Sequence, residues 1–254
     1  MKVFSVVGIS YSGKTTTVEK LIAELCRRRF TVGSVKNIHF EAFTLDTPGT
    51  NTHRHREAGS SLVTARGLEE TDILYPHSLS LGKILEFYDQ EWVVLEGVRE
   101  GNFPKIVCAH TEEDVEELLD DSVMAIAGQL ANKGLKEYKG LPVYNALTEA
   151  EALTDYVMAK VPRRLPDFSP QCCNLCGMSC RELLAAILRG EKSREDCLLR
   201  PEVKLTVGGK SFTLAPFVQE VLAKTLTALV STLDGYQPGK EVSLVWETES
   251  SPRG

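Results

Sequence analysis

The sequence predicts a doubly wound α/β domain with a mostly parallel sheet, followed by a small cysteine-rich module and a ββαβ tail. Over the first 165 residues, short apolar runs alternate with amphipathic stretches. The runs are rich in valine and isoleucine and show no polar alternation, which is typical of strands covered on both faces. A glycine-rich segment ending in Gly-Lys-Thr separates the first run from the first amphipathic stretch. With 254 residues, the chain is long enough for one large domain or two smaller ones.

The elements of the first domain follow one another in a regular order. Apolar runs of three to six residues predict strands at Val3–Val7, Thr31–Lys36, Leu62–Ala65, Trp92–Leu95, Ile106–Cys108, Val123–Ala127 and Pro142–Tyr144. Amphipathic stretches predict helices at Thr15–Arg28, Leu81–Tyr88, Glu113–Leu119 and Glu149–Lys160. We therefore expect the first domain to span residues 1–165.

Three prolines between Lys160 and Gln171 predict a linker, because proline cannot continue a helix. Beyond a cysteine-rich module at 166–200, the tail at 201–254 begins with two short apolar runs around Gly208-Gly209, a hairpin signal. Pro216 suits the first turn of the helix that follows. The predicted tail elements are strands at Glu202–Val207 and Ser211–Leu214, a helix from Pro216, and a strand at Val242–Trp246.

Composition excludes several classes of function. The chain carries a net charge of −6 and has a pI near 5.5, which argues against a protein that binds nucleic acid through its phosphate backbone. No apolar run reaches the roughly 20 residues of a membrane-spanning helix, and the first apolar run is too short for a signal peptide. We expect a cytoplasmic protein without membrane or nucleic-acid partners.

The segment Gly8–Thr15 fits the pattern G-x-x-x-x-G-K-[ST] between a strand and a helix, which predicts a phosphate-binding loop. Glycine is needed where the backbone approaches the phosphates or takes a positive φ. Lysine adds a charge, threonine offers a ligand to Mg²⁺, and the helix dipole points at the same phosphates. The candidate nucleotide-binding residues of this segment are Gly8, Ser10, Ser12, Gly13, Lys14, Thr15 and Thr16. The segment predicts a P-loop NTPase fold.

A nucleotide-bound Mg²⁺ also needs a carboxylate, and two candidates stand out. Glu96 follows four apolar residues at the end of a predicted buried strand, and Asp46 lies in a polar loop rich in turn formers. Ligands of parallel α/β sheets bind at the carboxyl ends of the strands. We expect Gly8, Lys36 and Glu96 to converge there, with Lys14 and Glu96 as the catalytic residues of any hydrolysis.

Several further motifs accompany the phosphate loop over residues 1–147: Val35-Lys36-Asn37, Asp46-Thr47-Pro48-Gly49-Thr50-Asn51-Thr52 with Arg54, and Leu95-Glu96-Gly97-Val98-Arg99. Together they resemble the molybdopterin-guanine dinucleotide biosynthesis protein B (MobB) family. The resemblance implies a homodimeric GTP-binding protein, a weak Mg²⁺-dependent GTPase, that assists the guanylyltransferase attaching GMP to molybdopterin. It also implies that Asp46 and Glu96 are metal-associated and that Lys36 and Arg54 face the anionic ligand. One departure is Asn51, where an acidic residue is expected.

The residues alone do not identify the base of the nucleotide. Asn132-Lys133-Gly134-Leu135 begins like the N-K-x-D signature that recognises guanine, but Leu135 occupies the position of the carboxylate. GTP rather than ATP therefore rests on the resemblance.

Five of the seven cysteines lie within 26 residues, which in a reducing cytosol favours a metal site. Cys173, Cys176, Cys180 and Cys197 are the four expected ligands, with Cys172 as a spare. Their layout resembles the four-cysteine iron–sulfur module of corrinoid proteins, although its third spacing is one residue short. Three bunched ligands and one remote ligand favour a [4Fe–4S] cluster. Zn²⁺, disulfides and free thiols remain open.

Three hypotheses of function follow from these patterns. The first is a GTP-binding accessory protein of molybdenum cofactor biosynthesis that carries an iron–sulfur module. The second is an ATP-dependent small-molecule kinase or ligase of the dethiobiotin synthetase type. The third is a metallocentre chaperone in which the nucleotide only switches conformation.

Overall fold

The structure is a computed structural model that describes residues 1–39, 43–166, 173, 175–198, 203, 205–207, 210–212, 214, 216–237 and 242–245. The chain divides into two compact units, the first ending at Leu198 and the second beginning at Leu199. The segment predicted as a cysteine-rich module thus belongs, up to Leu198, to the first unit. No helix in the described ranges has the length and apolar character needed to cross a bilayer.

The first unit contains nine strands, at β1 (Lys2–Gly8), β2 (Val32–Lys36), β3 (Val63–Arg66), β4 (Thr71–Leu74), β5 (Trp92–Glu96), β6 (Lys105–Cys108), β7 (Val123–Ala127), β8 (Glu137–Tyr138) and β9 (Leu141–Pro142) within the described residues. Its α-helices there are α1 (Lys14–Arg27), α2 (Asn51–Glu57), α3 (Leu81–Leu85), α4 (Glu112–Glu116), α5 (Ala150–Lys160) and α6 (Cys180–Arg189). A 3₁₀-helix follows β7 at Gly128–Lys133.

The central sheet has five strands in the order β2-β5-β1-β6-β7, and every neighbouring pair is parallel. All of β5, β6 and β7 is buried, as expected for runs of valine, isoleucine and alanine without polar alternation. An isolated parallel bridge between Ile126 and Val143 continues the order beyond β7. The predicted α/β fold with a mostly parallel sheet is confirmed.

Helices cover both faces of this sheet. Residues Val3, Val93 and Leu95 point to one face, where they pack with Leu85 of α3. The alternate residues of the strands point to the other face. There the Cys108 thiol lies 3.5 Å from the Thr17 hydroxyl, so that α1 packs on this second face. Because both faces of the sheet are covered, the positions of the strand ends are fixed, and so are the starting points of the loops that follow them.

An excursion between β2 and β5 lies outside the central sheet. The predicted strand at Leu62–Ala65 exists as β3, but it pairs antiparallel with β4 rather than joining the sheet. The sequence prediction missed both β4 and α2. These elements are short, and β4 is mostly exposed, so they lack the periodic apolar signal that marks the central elements.

The second unit contains β10 (Leu205–Val207), β11 (Lys210–Phe212) and α7 (Pro216–Val230) within its described residues. The two strands form an antiparallel pair, as the hairpin signal predicts, although Gly208-Gly209 lies outside the described residues. The strand predicted at Val242–Trp246 is not seen in the described residues 242–245. A short apolar run without a pairing partner has nothing to hydrogen-bond its backbone as a strand.

Candidate phosphate-binding site

The loop between β1 and α1 has the backbone that the glycine pattern predicts. A Cβ atom on Gly8 would lie 2.2 Å from the Cys108 carbonyl oxygen, so that only glycine lets β1 and β6 approach this closely. Gly13 has a φ of 95°, in the left-handed region, and stands at the N-terminus of α1. The Ser12 hydroxyl donates to the Ile9 carbonyl oxygen at 2.9 Å. The loop is therefore a fixed turn that leads directly into the helix N-terminus.

Lys14 closes this turn from the helix side. Its ammonium group donates a hydrogen bond to the Ile9 carbonyl oxygen. Burial lowers the pKa of Lys14 from its ordinary value, while the nearby Glu96 carboxylate acts in the opposite direction. A cation held inside the turn, beside a helix N-terminus, is the arrangement that attracts a polyphosphate.

Glu96, Thr15 and Lys36 meet at the next two strand ends. The Thr15 hydroxyl donates to Glu96 Oε1 at 2.7 Å, and the Lys36 ammonium group lies 2.5 Å from the same oxygen. Parallel pairing of β2 with β5 places Lys36 directly beside Glu96. Glu96 is 7% exposed, so its charge is stabilised by these partners rather than by water. The structure thus brings Lys36 and Glu96, which the strand-end argument groups with Gly8, together with Thr15 of the phosphate-binding loop.

This donor set fits the Mg²⁺ that a phosphate-binding loop implies. Mg²⁺ prefers oxygen ligands and is commonly held by one or two protein groups together with phosphate oxygens. The Thr15 hydroxyl and the Glu96 carboxylate are such oxygens, and they already lie within hydrogen-bond distance of each other.

Residues that follow the carboxyl ends of β6 and β7 also contact the phosphate-binding loop. These residues, His110 and Gln129, were not predicted from the sequence. His110 Nε2 lies 3.1 Å from the Ser10 carbonyl oxygen. The Gln129 backbone N–H donates to the Ser12 carbonyl oxygen at 3.0 Å, and its side-chain amide donates to the Tyr11 carbonyl oxygen at 2.7 Å. The strand-end rule that selects Glu96 points to these two residues as well, since each follows a buried parallel strand.

Asp46 does not join this group in the described residues. Its Oδ1 accepts hydrogen bonds from the hydroxyls of Thr50 and Thr52, at 2.7 and 2.8 Å, and its Oδ2 lies 3.6 Å from an Arg56 guanidinium nitrogen. The hydrogen bond from Thr50 is the main cause of a lowered pKa for Asp46. These contacts make Asp46 the anchor of the turn before α2.

The other predicted ligand-binding residues occupy different settings. Arg54 is exposed on α2, and no contact from its side chain to the loop is seen in the described part of the chain. Ser10 is exposed at the loop and Thr16 is half-buried on α1. Tyr11, at the tip of the loop, has a φ of 59° and is 91% exposed.

The cysteine segment gives no support to the predicted [4Fe–4S] cluster or to Zn²⁺. Within the described residues, no group of three or more His, Cys, Asp or Glu is placed to hold a metal ion. Cys180 and Cys197 are buried, whereas Cys173 and Cys176 are half-buried. Cys180 shares the buried face of α6 with Leu183 and Leu184, because residues three and four apart lie on the same side of a helix. The spare Cys172 lies outside the described residues.

The same segment lies at the opposite end of the sheet from the phosphate-binding loop. Asp120, which precedes β7, accepts a hydrogen bond from buried Lys105 at 2.8 Å and lies 3.4 Å from Arg181 of α6. Lys105 is the first residue of β6, at the amino end of the strand. Lys160, at the end of α5, donates to the Leu188 carbonyl oxygen at 3.0 Å. These contacts attach α6 to the amino ends of the strands.

Comparison with known proteins gives consistent matches. A sequence profile described as "MobB: Molybdopterin guanine dinucleotide synthesis protein B" matches residues 3–129. A "Putative molybdopterin-guanine dinucleotide biosynthesis adapter protein" of Methanocaldococcus jannaschii is 28% identical over 251 residues, covering 96% of this chain and 97% of that protein. The "Molybdopterin-guanine dinucleotide biosynthesis adapter protein" of Haemophilus influenzae is 35% identical over 129 residues, covering 48% of this chain and 71% of that protein.

Among solved structures, the crystal structure of Bacillus subtilis MobB matches with a TM-score of 0.53 at 23% identity, covering 65% of this chain and all of that one. This likeness concerns the fold. The alignment with the M. jannaschii protein, by contrast, extends over nearly the whole chain and so includes the cysteine segment and the second unit.

Proposed function

Because the chain belongs to the molybdopterin guanine dinucleotide synthesis protein B family and has an adapter role in molybdopterin guanine dinucleotide biosynthesis, we propose that it performs this role as a Mg²⁺- and GTP-binding protein. The observation that carries the proposal is the convergence of Lys14, Thr15 and Glu96 at the end of β1 and β5. A fixed glycine turn, a cation and two oxygen ligands are what a Mg²⁺–triphosphate needs.

We further propose that the site hydrolyses GTP slowly. Water would attack the terminal phosphate, with GDP leaving, and Mg²⁺ when bound would supply neutralisation of the phosphate charge. Lys14 would neutralise charge on the phosphates from the helix side, Thr15 and Glu96 would hold the ion, and Lys36 keeps Glu96 in place. Without an arginine finger, turnover of such a site is on the order of 10⁻⁴ to 10⁻² s⁻¹. Such a slow rate suits a protein in which the bound nucleotide controls the binding of a partner and is not consumed as a substrate in each catalytic cycle.

Lys14→Ala tests the phosphate-binding loop. We expect GTP affinity, measured by calorimetry in the presence of Mg²⁺, to fall by roughly 10- to 100-fold, because one charge-assisted contact is lost. Lys20→Ala is the matched control, since Lys20 is exposed on the same helix. GTP binding by Lys14→Ala equal to that of the control would remove the proposal. ATP, measured in the same titrations, tests the competing hypothesis of a kinase of the dethiobiotin synthetase type.

Glu96→Gln tests the metal. The amide keeps the size of the side chain but removes the negative charge that attracts the cation. We expect the increase in GTP affinity caused by Mg²⁺ over EDTA to shrink, while the affinity in EDTA is unchanged or higher. An unchanged Mg²⁺ effect would place the ion elsewhere.

The remaining elements of the proposal concern partners and the cysteines. A homodimer and a cytoplasmic guanylyltransferase as partner, with molybdopterin as a second ligand, remain predictions, which light scattering and co-purification test. The four-cysteine cluster also stays a prediction. Anaerobic purification with iron, sulfide and zinc analysis tests it. A colourless zinc-bound protein would contradict the [4Fe–4S] cluster, and a protein without bound iron, sulfide or zinc would contradict both the cluster and the Zn²⁺ alternative.

A further inference from the structure

The contacts of the phosphate-binding loop indicate on which side of β1 each part of a bound nucleotide would lie. Glu96 and Lys36 occupy the ends of β5 and β2, on one side of β1. In the proposed function, that side holds the ion and the terminal phosphates. The nucleoside must then extend to the other side, across the ends of β6 and β7.

The 3₁₀-helix after β7 lies next to the loop on that other side. Gln129 binds the backbone of Ser12 and Tyr11, and Leu130 N–H donates to the Ala109 carbonyl oxygen at 2.8 Å. Two strand spacings separate β1 from β7, which is about 10 Å. The residues that follow this contact along the 3₁₀-helix, and those after the Val143 bridge, stand where the base would lie.

Asn132 and Asn145 form a joined pair at this place. Asn145 Nδ2 donates to Asn132 Oδ1 at 2.9 Å, and the Leu147 backbone N–H donates to Asn145 Oδ1 at 3.0 Å. A backbone N–H can only donate, so it fixes Oδ1 as the acceptor and Nδ2 as the donor of Asn145. Asn132 must in turn accept through its oxygen. The orientation of both amides follows from one backbone group.

This orientation leaves donors for a ligand. Within the described residues, both protons of Asn132 Nδ2 and the second proton of Asn145 Nδ2 have no acceptor. Asn132 is exposed and Asn145 is half-buried, while Leu147 beside them is 60% exposed and offers an apolar surface for a ring. Guanine presents two acceptors, O6 and N7, on one edge, whereas adenine presents one acceptor and the N6 donor there.

On the basis of the proposed nucleotide site, we propose that the Asn132–Asn145 pair selects guanine over adenine by donating hydrogen bonds to O6 and N7 of the purine. Leu135 carries no carboxylate that would accept from N1–H and the 2-amino group. The pair therefore recognises the 6-oxo purine edge only. Inosine triphosphate, which keeps O6 and N7 but lacks the 2-amino group, binds as well as GTP.

Asn132→Asp separates this recognition from phosphate binding. A carboxylate of the same shape still accepts from Asn145, but its outward edge changes from donor to acceptor. We expect GTP and inosine triphosphate affinities to fall by about tenfold and ATP affinity to be unchanged or higher, as measured by calorimetry with Mg²⁺. Circular dichroism of the variant verifies folding. Asn132→Ala provides a second variant, for which GTP affinity falls and ATP affinity is unchanged.

The outcomes distinguish the two proposals. Equal affinities of the wild-type protein for GTP and inosine triphosphate, with a GTP preference that Asn132→Asp removes, support the inference. A wild-type preference for GTP over inosine triphosphate above tenfold, or an unchanged GTP-to-ATP ratio in both variants, overturns it while leaving the phosphate site intact. Absence of binding by any of the three nucleotides overturns the proposed function and the inference with it.

Discussion

Gly128→Ala changes a residue outside the glycine pattern of the phosphate-binding loop, yet we expect it to disrupt the loop. Gly128 follows β7 with a φ of 81°. A Cβ atom there would lie 2.2 Å from the Ser12 carbonyl oxygen, 3.0 Å from the Cys108 Cβ and 3.1 Å from the Ala109 nitrogen. Because backbone blocks it on two sides, the methyl group fits only if the loop moves.

Gly134→Ala provides the matched control for the size of this effect. Gly134 has the same φ of 81°, but no atom lies within 4 Å of its Cβ position. Both substitutions place alanine in the left-handed region, at a cost of about 1 to 2 kcal/mol. Gly128→Ala adds the overlap with Ser12, and overpacking of this kind typically costs about 1 to 3 kcal/mol. The difference between the two variants isolates the contact.

Urea denaturation and calorimetry with Mg²⁺–GTP measure the two consequences. We expect Gly128→Ala to have a free energy of unfolding about 1 to 3 kcal/mol below that of Gly134→Ala. We expect it also to bind GTP more weakly, since the displaced carbonyl is next to Gly13, whereas Gly134→Ala binds like wild type. Equal stability and equal affinity of the two variants would refute the argument that the loop is held from the β7 side.

Three further predictions concern other parts of the first unit. Asp120→Ala leaves the buried Lys105 ammonium group without its carboxylate and lowers the free energy of unfolding by about 2 to 3 kcal/mol in urea denaturation. In the wild type, burial acts to raise the pKa of Asp120, but the hydrogen bonds from Lys105 and Ser122 outweigh it and hold the pKa below its ordinary value. The contribution of Asp120 to the free energy of unfolding is therefore present above about pH 4 and is lost as the pH falls further. Thr50→Ala removes the hydroxyl that caps α2 by accepting from the His53 backbone N–H and that donates to buried Asp46. We expect it to cost about 1 to 3 kcal/mol, with faster amide exchange in α2 and in the turn before it. Burial raises the pKa of Cys108 to about 12, so iodoacetamide at pH 8 modifies exposed Cys26 but not Cys108 in the folded chain, as peptide mass spectrometry measures.

Each of these three predictions has a result that contradicts it. Stability of Asp120→Ala equal to wild type at pH 7 would mean that Lys105 needs no partner. Exchange at α2 unchanged in Thr50→Ala would show that the cap contributes nothing. Equal modification rates for the two cysteines would show that Cys108 is accessible in the native chain.

The sequence was sufficient to predict the central sheet and the strand-end residues of the candidate site. Strands without polar residues imply burial on both faces, and burial implies that the chemistry lies where the strands end. Glu96 and Lys36 stand at such strand ends and could be predicted in this way. His110 and Gln129 stand at strand ends too, but their contacts with the loop join residues about 100 positions apart or more, which no local pattern displays.

Two predicted ligands, Asp46 and Cys180, lie in settings that local contacts explain without a metal ion. The Thr50 and Thr52 hydroxyls, four and six residues along the chain, both bind Asp46 Oδ1. Asp46 Oδ2 is buried without a hydrogen-bond partner among the described residues, 3.6 Å from an Arg56 guanidinium nitrogen. Cys180 stands at a position where helix periodicity already requires an apolar side chain. The spacing of cysteines identifies potential metal ligands, but it does not show which of them are packed into the hydrophobic core.

Strand β6 connects the two ends of the first unit. Its first residue, Lys105, is joined to Arg181 of α6 through Asp120, and its last residue, Cys108, lies beside Gly8 of β1. Its four residues span about 10 Å from the first Cα to the last, and all four are buried, so the core holds the two ends at a fixed separation. A displacement of Lys105 at the amino end of β6 would therefore reach the carboxyl end beside Gly8 as a rigid movement of the whole strand.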